Sequence, residues 1–148
     1  DVIVFSRGSY VADLGEWVRV SQLQFLENEG GGVFSDVTST VLPDYNFESN
    51  VSYEPVFDDF NKDGYLDIFI SEADFGSPHT SSVFLLGTSD GRFEEYGRDY
   101  LSALIPENGG MATVVEDANE DFWLLVGSQS VGVDGRQENL TLYPVDFA

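Results

Sequence analysis

The residues Asp59-Phe60-Asn61-Lys62-Asp63-Gly64-Tyr65-Leu66-Asp67 carry the densest chemistry in the chain. Oxygen-bearing side chains stand at the first, third, fifth and ninth positions of this run, with glycine at the sixth. Alternate residues of a tightly wound loop point inward, so Asp59, Asn61 and Asp63 are expected to converge on one point. Gly64 permits the positive φ that turns the chain back. The carbonyl of Tyr65 then faces the same point, and Asp67 returns from the mouth of the next strand. Like charges this close repel unless a cation lies between them. Five hard oxygen ligands, with water completing the shell, suit Ca²⁺, which takes six to eight oxygens. Zinc prefers nitrogen or sulfur, and Mg²⁺ keeps more of its own waters. An EF-hand is excluded, because its twelfth position is Ile70 rather than Glu and strand-like sequence flanks the loop. The ion-free alternative is an Asp/Asn/Gly turn, residues that dominate turns anyway. Against that alternative, the sequence sets Asp67, an acid opening an apolar strand.

The elements that would position the loop are short strands. Leu66, Ile68 and Ile70, Val2 and Val4, Val18 and Val20, and Val114 and Leu125 lie in β-branched or aromatic runs broken by Gly, Pro, Asn and Asp. No stretch shows a capped helical period; the best candidate, residues 98–105, reads as a short turn at most. Internal similarity is evident. LQFLENEGGGVFSDVT (23–38) resembles VFLLGTSDGRFEEYG (83–97), DVIVFS resembles DIFISE, and VVEDANEDFWLLVG resembles VFDDFNKDGYLDIFI. The period is about 60 residues. The middle unit is expected to form four strands near 52–58, 66–72, 82–88 and 92–96. Four antiparallel strands per repeat is the size of a propeller blade. The expected fold is all-β, a single domain over 1–148 of about three partial blade units, near 1–48, 49–106 and 107–148, not closed into a ring by this chain alone.

The loop, its strand and the following VFLLGTSDGRF resemble an FG-GAP/VCBS-type repeat of bacterial surface and secreted proteins. The resemblance implies a β-propeller blade whose first two strands are joined by a Ca²⁺-holding loop. It places Asp59, Asn61, Asp63, the Tyr65 carbonyl and Asp67 as ligands, in an extracellular or cell-surface protein. The third unit departs from the pattern. DANEDFWLLV keeps Asp117, Asn119 and Asp121, but Phe122 stands at the glycine position and Leu125 at the ninth, so a degenerate site is expected there. The first unit opens at Asp1, where its loop would end, and the last closes with NLTLYPVDFA as its third strand. Three partial blades leave open edges, which would pair with other copies or with the rest of a larger parent chain.

Composition narrows the partners. The chain has 148 residues with 27 acidic against 6 basic side chains, a formal net charge of -21. That field repels nucleic acid and anionic membranes, and favours cations or basic partners. Hydrophobic content of 42% with 14% aromatics supports a real core. No apolar run approaches the roughly 18 residues of a membrane span. Without cysteine there is no disulfide, thiolate metal site or cysteine nucleophile. His79 is the sole histidine and sits among turn residues, so no catalytic set emerges. Trp17, Trp123, Tyr10, Tyr45 and Tyr53 are candidates for stacking on sugar rings or for filling the space between blades. Asn50-Val51-Ser52 and Asn139-Leu140-Thr141 match glycosylation triplets. The leading expectation is a non-enzymatic Ca²⁺-binding module for adhesion or assembly. A carbohydrate-binding module, or an accessory domain of a secreted polysaccharide-degrading enzyme, is the alternative.

Overall fold

A computed structural model describes residues 1–5, 9–11, 16–18, 23–42, 55–71, 82–104, 111–132 and 135–147. Over these residues the chain is mostly antiparallel β-structure. A first sheet has the order β1-β4-β5, from β1 (Val2–Phe5), β4 (Leu23–Gly30) and β5 (Val33–Asp36). Between β1 and β4 stands a small hairpin of β2 (Ser9–Val11) and β3 (Glu16–Val18). The central sheet runs β6 (Val56–Asp58), β7 (Asp67–Ile70), β8 (Val83–Gly87) and β9 (Phe93–Tyr96) in chain order. A third sheet runs β10 (Met111–Glu116), β11 (Phe122–Gly132) and β12 (Gly135–Pro144). The middle unit therefore makes the four antiparallel strands expected of it.

The central sheet explains why β7 reads as unbroken apolar sequence. Ile68, Ile70, Val83 and Leu85 face Leu23, Phe25 and Leu42 of the first unit. Phe69 and Phe84, on the opposite face by strand alternation, meet Ala112, Val114, Leu124 and Val126 of the third sheet. Both faces are buried, so neither carries the polar alternation of a half-exposed strand. Among the described residues, one face of the third sheet packs on the central sheet and the other carries exposed side chains. Its outward positions include Leu140, 74% exposed, and Leu142, 54% exposed.

Two short helices correct the expectation that no helix forms. α1 (Thr38–Val41) follows β5, and α2 (Arg98–Leu104) follows β9. Residues 98–105, expected as a turn at most, are thus helical for seven residues. The start is set by Gly97 at φ 76°, whose carbonyl accepts the Leu101 N–H at 2.8 Å. Leu101 is fully buried against the Phe69 and Phe84 cluster. Leu104 packs on the same cluster and the Tyr100 hydroxyl donates to the Pro144 carbonyl at 2.9 Å, so tertiary contacts hold this short helix. A short helix thus follows the β4–β5 hairpin and another follows the β8–β9 hairpin.

Candidate functional site

The loop between β6 and β7 is set by its register. Asp58 pairs with Asp67, and the eight residues 59 to 66 loop out between them. Phe60 points down and is 3% exposed, edge-on to Phe84 at 5.4 Å and to Phe122 at 5.2 Å. Burial of such a ring contributes roughly 1.5–3 kcal/mol, which anchors the loop to the core. The alternate residues point the other way. Asp59 Oδ1 and Asn61 Oδ1 both accept the Asp63 N–H, at 3.0 and 3.1 Å. Asp59 Oδ2 accepts the Gly64 N–H at 2.8 Å, and Asp63 Oδ1 accepts the Tyr65 N–H at 2.9 Å. The Asn61 amide donates to Asp63 Oδ2 at 2.9 Å. Gly64 has φ 91°, the conformation expected of it. The loop thus brings Asp59, Asn61 and Asp63 together.

Asp67 has a different setting. It is fully buried: Oδ1 accepts the Gly87 N–H at 2.8 Å, and Oδ2 accepts Phe60 N–H at 2.9 Å and Asn61 N–H at 3.3 Å. A carboxylate offers about four lone-pair positions, so roughly one remains. Burial pushes the Asp67 carboxyl up from its ordinary value, and the three backbone donors oppose that rise. The acid at the mouth of an apolar strand therefore has a reason independent of any ion: it ties the loop to the end of β8. Gly87 makes this possible, because a Cβ there would run into the Leu66 carbonyl oxygen.

The loop's cation turns away from its carboxylates. Lys62, at φ 59°, sends Nζ to the Glu120 carbonyl at 2.6 Å and lies 6.0 Å from the Phe122 ring centroid. Among the described residues, no Lys or Arg forms an ion pair with Asp58, Asp59, Asp63 or Asp67. The donor set consists of hard oxygens lacking a cationic neighbour, which fits a hard cation such as Ca²⁺. Among the described residues, however, no three His, Cys, Asp or Glu side chains stand close enough to share a metal. Ion binding would have to draw Asp59 and Asp63 inward, with Asn61 and the Tyr65 carbonyl filling further positions.

The loop of the third unit repeats this backbone and then departs from it. Glu120 has φ 65°, as Lys62 has φ 59°, and its N–H reaches the Asp117 carbonyl as that of Lys62 reaches Asp59. Asp117 Oδ1 accepts Asp121 N–H at 3.2 Å, the counterpart of Asp59 with Asp63. But Glu116 pairs with Phe122, so only five residues, 117 to 121, loop out. The structural counterpart of Asp67 is hence Phe122, not Leu125 at the ninth position, because the shorter loop brings the strand back three residues earlier. Trp123 donates its indole N–H to Asp117 Oδ2 at 3.2 Å. Hydrogen bonds from Asn119 N–H, Asp121 N–H and this indole hold the Asp117 carboxyl below the usual carboxylate value.

Sequence reasoning passed over Phe60, Lys62 and Gly87 as positioning residues. Phe60 had a signal, the apolar position between two inward oxygens; Lys62 and Gly87 are explained only by contacts outside their own segments. His79, Tyr45, Tyr53 and the Asn50-Val51-Ser52 triplet lie outside the described residues, as do the side chains of Tyr10, Trp17 and Asn139. No protein-family model, curated protein or solved structure matches this chain, so the resemblance to FG-GAP/VCBS repeats rests on its loop and turn residues.

Proposed function

We propose that the chain is a Ca²⁺-binding module of propeller-type blades, related to the FG-GAP/VCBS repeats, that serves adhesion or assembly outside the cell rather than catalysis. The observation that carries the reading is the loop at 59–64. Asp59 and Asn61 gather on the Asp63 and Gly64 amides, Asp63 joins them through the Asn61 amide and the Tyr65 N–H, and the only lysine in the loop reaches away from them. Asp59, Asn61, Asp63 and the Tyr65 carbonyl supply the ligands, with Asp67 contributing its remaining lone pair from below. Assembly is supported by the outward face of the third sheet and by the edge positions of β1 and β12 in their sheets. Other copies of the chain, or further blades of a longer parent, are the partners this surface suits. A net charge of -21 opposes association, so Ca²⁺ or salt promotes it.

Calorimetric titration with CaCl₂ tests the site. One Ca²⁺ per chain is expected, with a Kd of roughly 10⁻⁴ to 10⁻³ M. At about a hundred times Kd the fold gains ~2.7 kcal/mol by mass action. Asp63→Ala should abolish most of that gain. An Asp63→Ala protein whose melting still responds to calcium as the parent does would refute the assignment, and two comparable sites would refute the reading of the 117–121 loop.

A further inference from the structure

A cleft of about 340 Å³ opens where the two loops meet, lined by Lys62, Asp121, Phe122, Trp123, Pro144 and Asp146 among others. Its size lies at the lower end of ligand pockets, about 300–1,000 Å³. We infer that this cleft binds a neutral polyhydroxy ligand, a single pyranose ring of a glycan. The inference stands apart from the calcium reading, since none of the five proposed ligand residues lines the cleft.

The walls select the ligand by elimination. An anion would meet Asp121 and Asp146 in a chain of net charge -21. A cation is drawn by the field of the chain, but the place over the Phe122 ring and the Glu120 carbonyl is already taken by the Lys62 ammonium. A wholly apolar ligand would take water from the Asp121 carboxylate and offer it no hydrogen bond in return. A pyranose meets none of these objections. Its C–H face packs on an aromatic ring, while its hydroxyls both donate and accept. The Asp121 carboxylate accepts from it, and Lys62 has further N–H donors beyond the one on Glu120. Trp123 is held ready, because its indole N–H bond to Asp117 Oδ2 at 3.2 Å fixes the ring before any ligand arrives. Such preorganisation lowers the cost of binding.

The test is an amide and indole NMR titration of the whole chain in chelator. The probes are the methyl glycosides of glucose, galactose, mannose and fucose, with methylguanidinium chloride and sodium acetate as charged controls. At least one glycoside should move the Trp123 indole signal and the amides of 121–123, Val145 and Asp146, and neither control should. Trp123→Ala should weaken binding about tenfold or more. Should that variant fail to fold, Asp121→Asn, on an exposed turn, should weaken binding about threefold or more at unchanged melting temperature. The inference is overturned if no glycoside moves these signals up to about 100 mM, or if Asp121→Asn binds as the parent does. It is equally overturned if methylguanidinium moves the indole signal while the glycosides leave it still. Because the titration is run without calcium, its failure leaves the ion site untouched, and failure of the ion site leaves this result untouched.

Discussion

Replacing Asp67 by asparagine separates a structural carboxylate from a metal ligand. The side chains match in shape, so the change removes charge and one acceptor without opening a cavity. In the parent, Oδ1 serves the buried Gly87 N–H, and Oδ2 serves the Phe60 and Asn61 N–H groups. Asparagine has one carbonyl oxygen and an NH₂ that cannot accept. With its oxygen kept on the Oδ2 side, the Gly87 N–H faces another donor. Gly87 has little room to move toward the loop, where the Leu66 carbonyl already crowds it. One orphaned buried donor costs about 1–3 kcal/mol. Turning the two remaining charge-assisted bonds into neutral ones costs roughly 1 kcal/mol, which is offset by relief of the burial penalty on the charge. The expected loss is about 1–3 kcal/mol, a large share of the 5–15 kcal/mol typical of a domain. Asp67→Ala orphans all three donors and should leave little folded protein. Urea unfolding followed by tryptophan fluorescence reads the loss as a lower midpoint at unchanged slope. The measurement belongs in chelator, because these bonds need no ion. A loss below about 0.5 kcal/mol in chelator, with a large one in calcium, would refute the anchoring role and make Asp67 chiefly a ligand.

Two other outcomes follow from the contacts between the central and third sheets and from the carboxylates of the turns. Lys62→Met removes the bond to the Glu120 carbonyl, at a cost of about 0.5–1.5 kcal/mol. Hydrogen exchange of the β10–β11 amides should quicken while β7 stays protected; equal change in both strands would deny a local link. Asp117 is held below the usual value of 3.8, chiefly by the Asn119 N–H, so its contribution is present above that value and lost as pH falls through its folded pKa. Carbon NMR of the carboxyl should show Asp117 titrating below the ordinary aspartate range, and a normal midpoint would remove the claimed hydrogen bonds. Asp36, held down by the Thr38 hydroxyl and N–H, shifts in the same direction and serves as an internal comparison.

Much of the central unit is legible because its strands carry their own evidence. Ile68, Phe69, Ile70 and Val83, Phe84, Leu85 are runs that only burial on both faces would maintain, and they occupy β7 and β8 as read. The hairpins at Gly30–Gly32 and around Gly91 are legible as Gly-containing polar turns between strand residues, and their glycines adopt positive φ. What escaped was whatever depends on distant partners. The helix at Arg98–Leu104 depends on Leu101 and Leu104 entering a core made by other strands and on Tyr100 reaching Pro144. The hairpin of β2 and β3 has too few residues to show a period. Asp67 was read as a ligand because the loop alone offers no other use for it, whereas the amide of Gly87, twenty residues on, offers one.

The two loops show how little separates a candidate ion site from a plain turn. Both start with an aspartate that caps the same downstream amide, and both place a non-glycine residue in the left-handed region at the same step. They differ after the fifth residue. In the first loop the chain runs on through Gly64, Tyr65 and Leu66 before pairing resumes at Asp67, and the Asp59, Asn61 and Asp63 side chains are spent on the loop's own amides and on one another. In the second, strand pairing resumes at Phe122, and Trp123 takes the aspartate oxygen that Gly64 N–H takes in the first. That indole is also what furnishes the neighbouring cleft with a fixed aromatic wall. The difference between the two turns is thus three residues of loop, which decide whether strand pairing resumes at Phe122 or is delayed until Asp67.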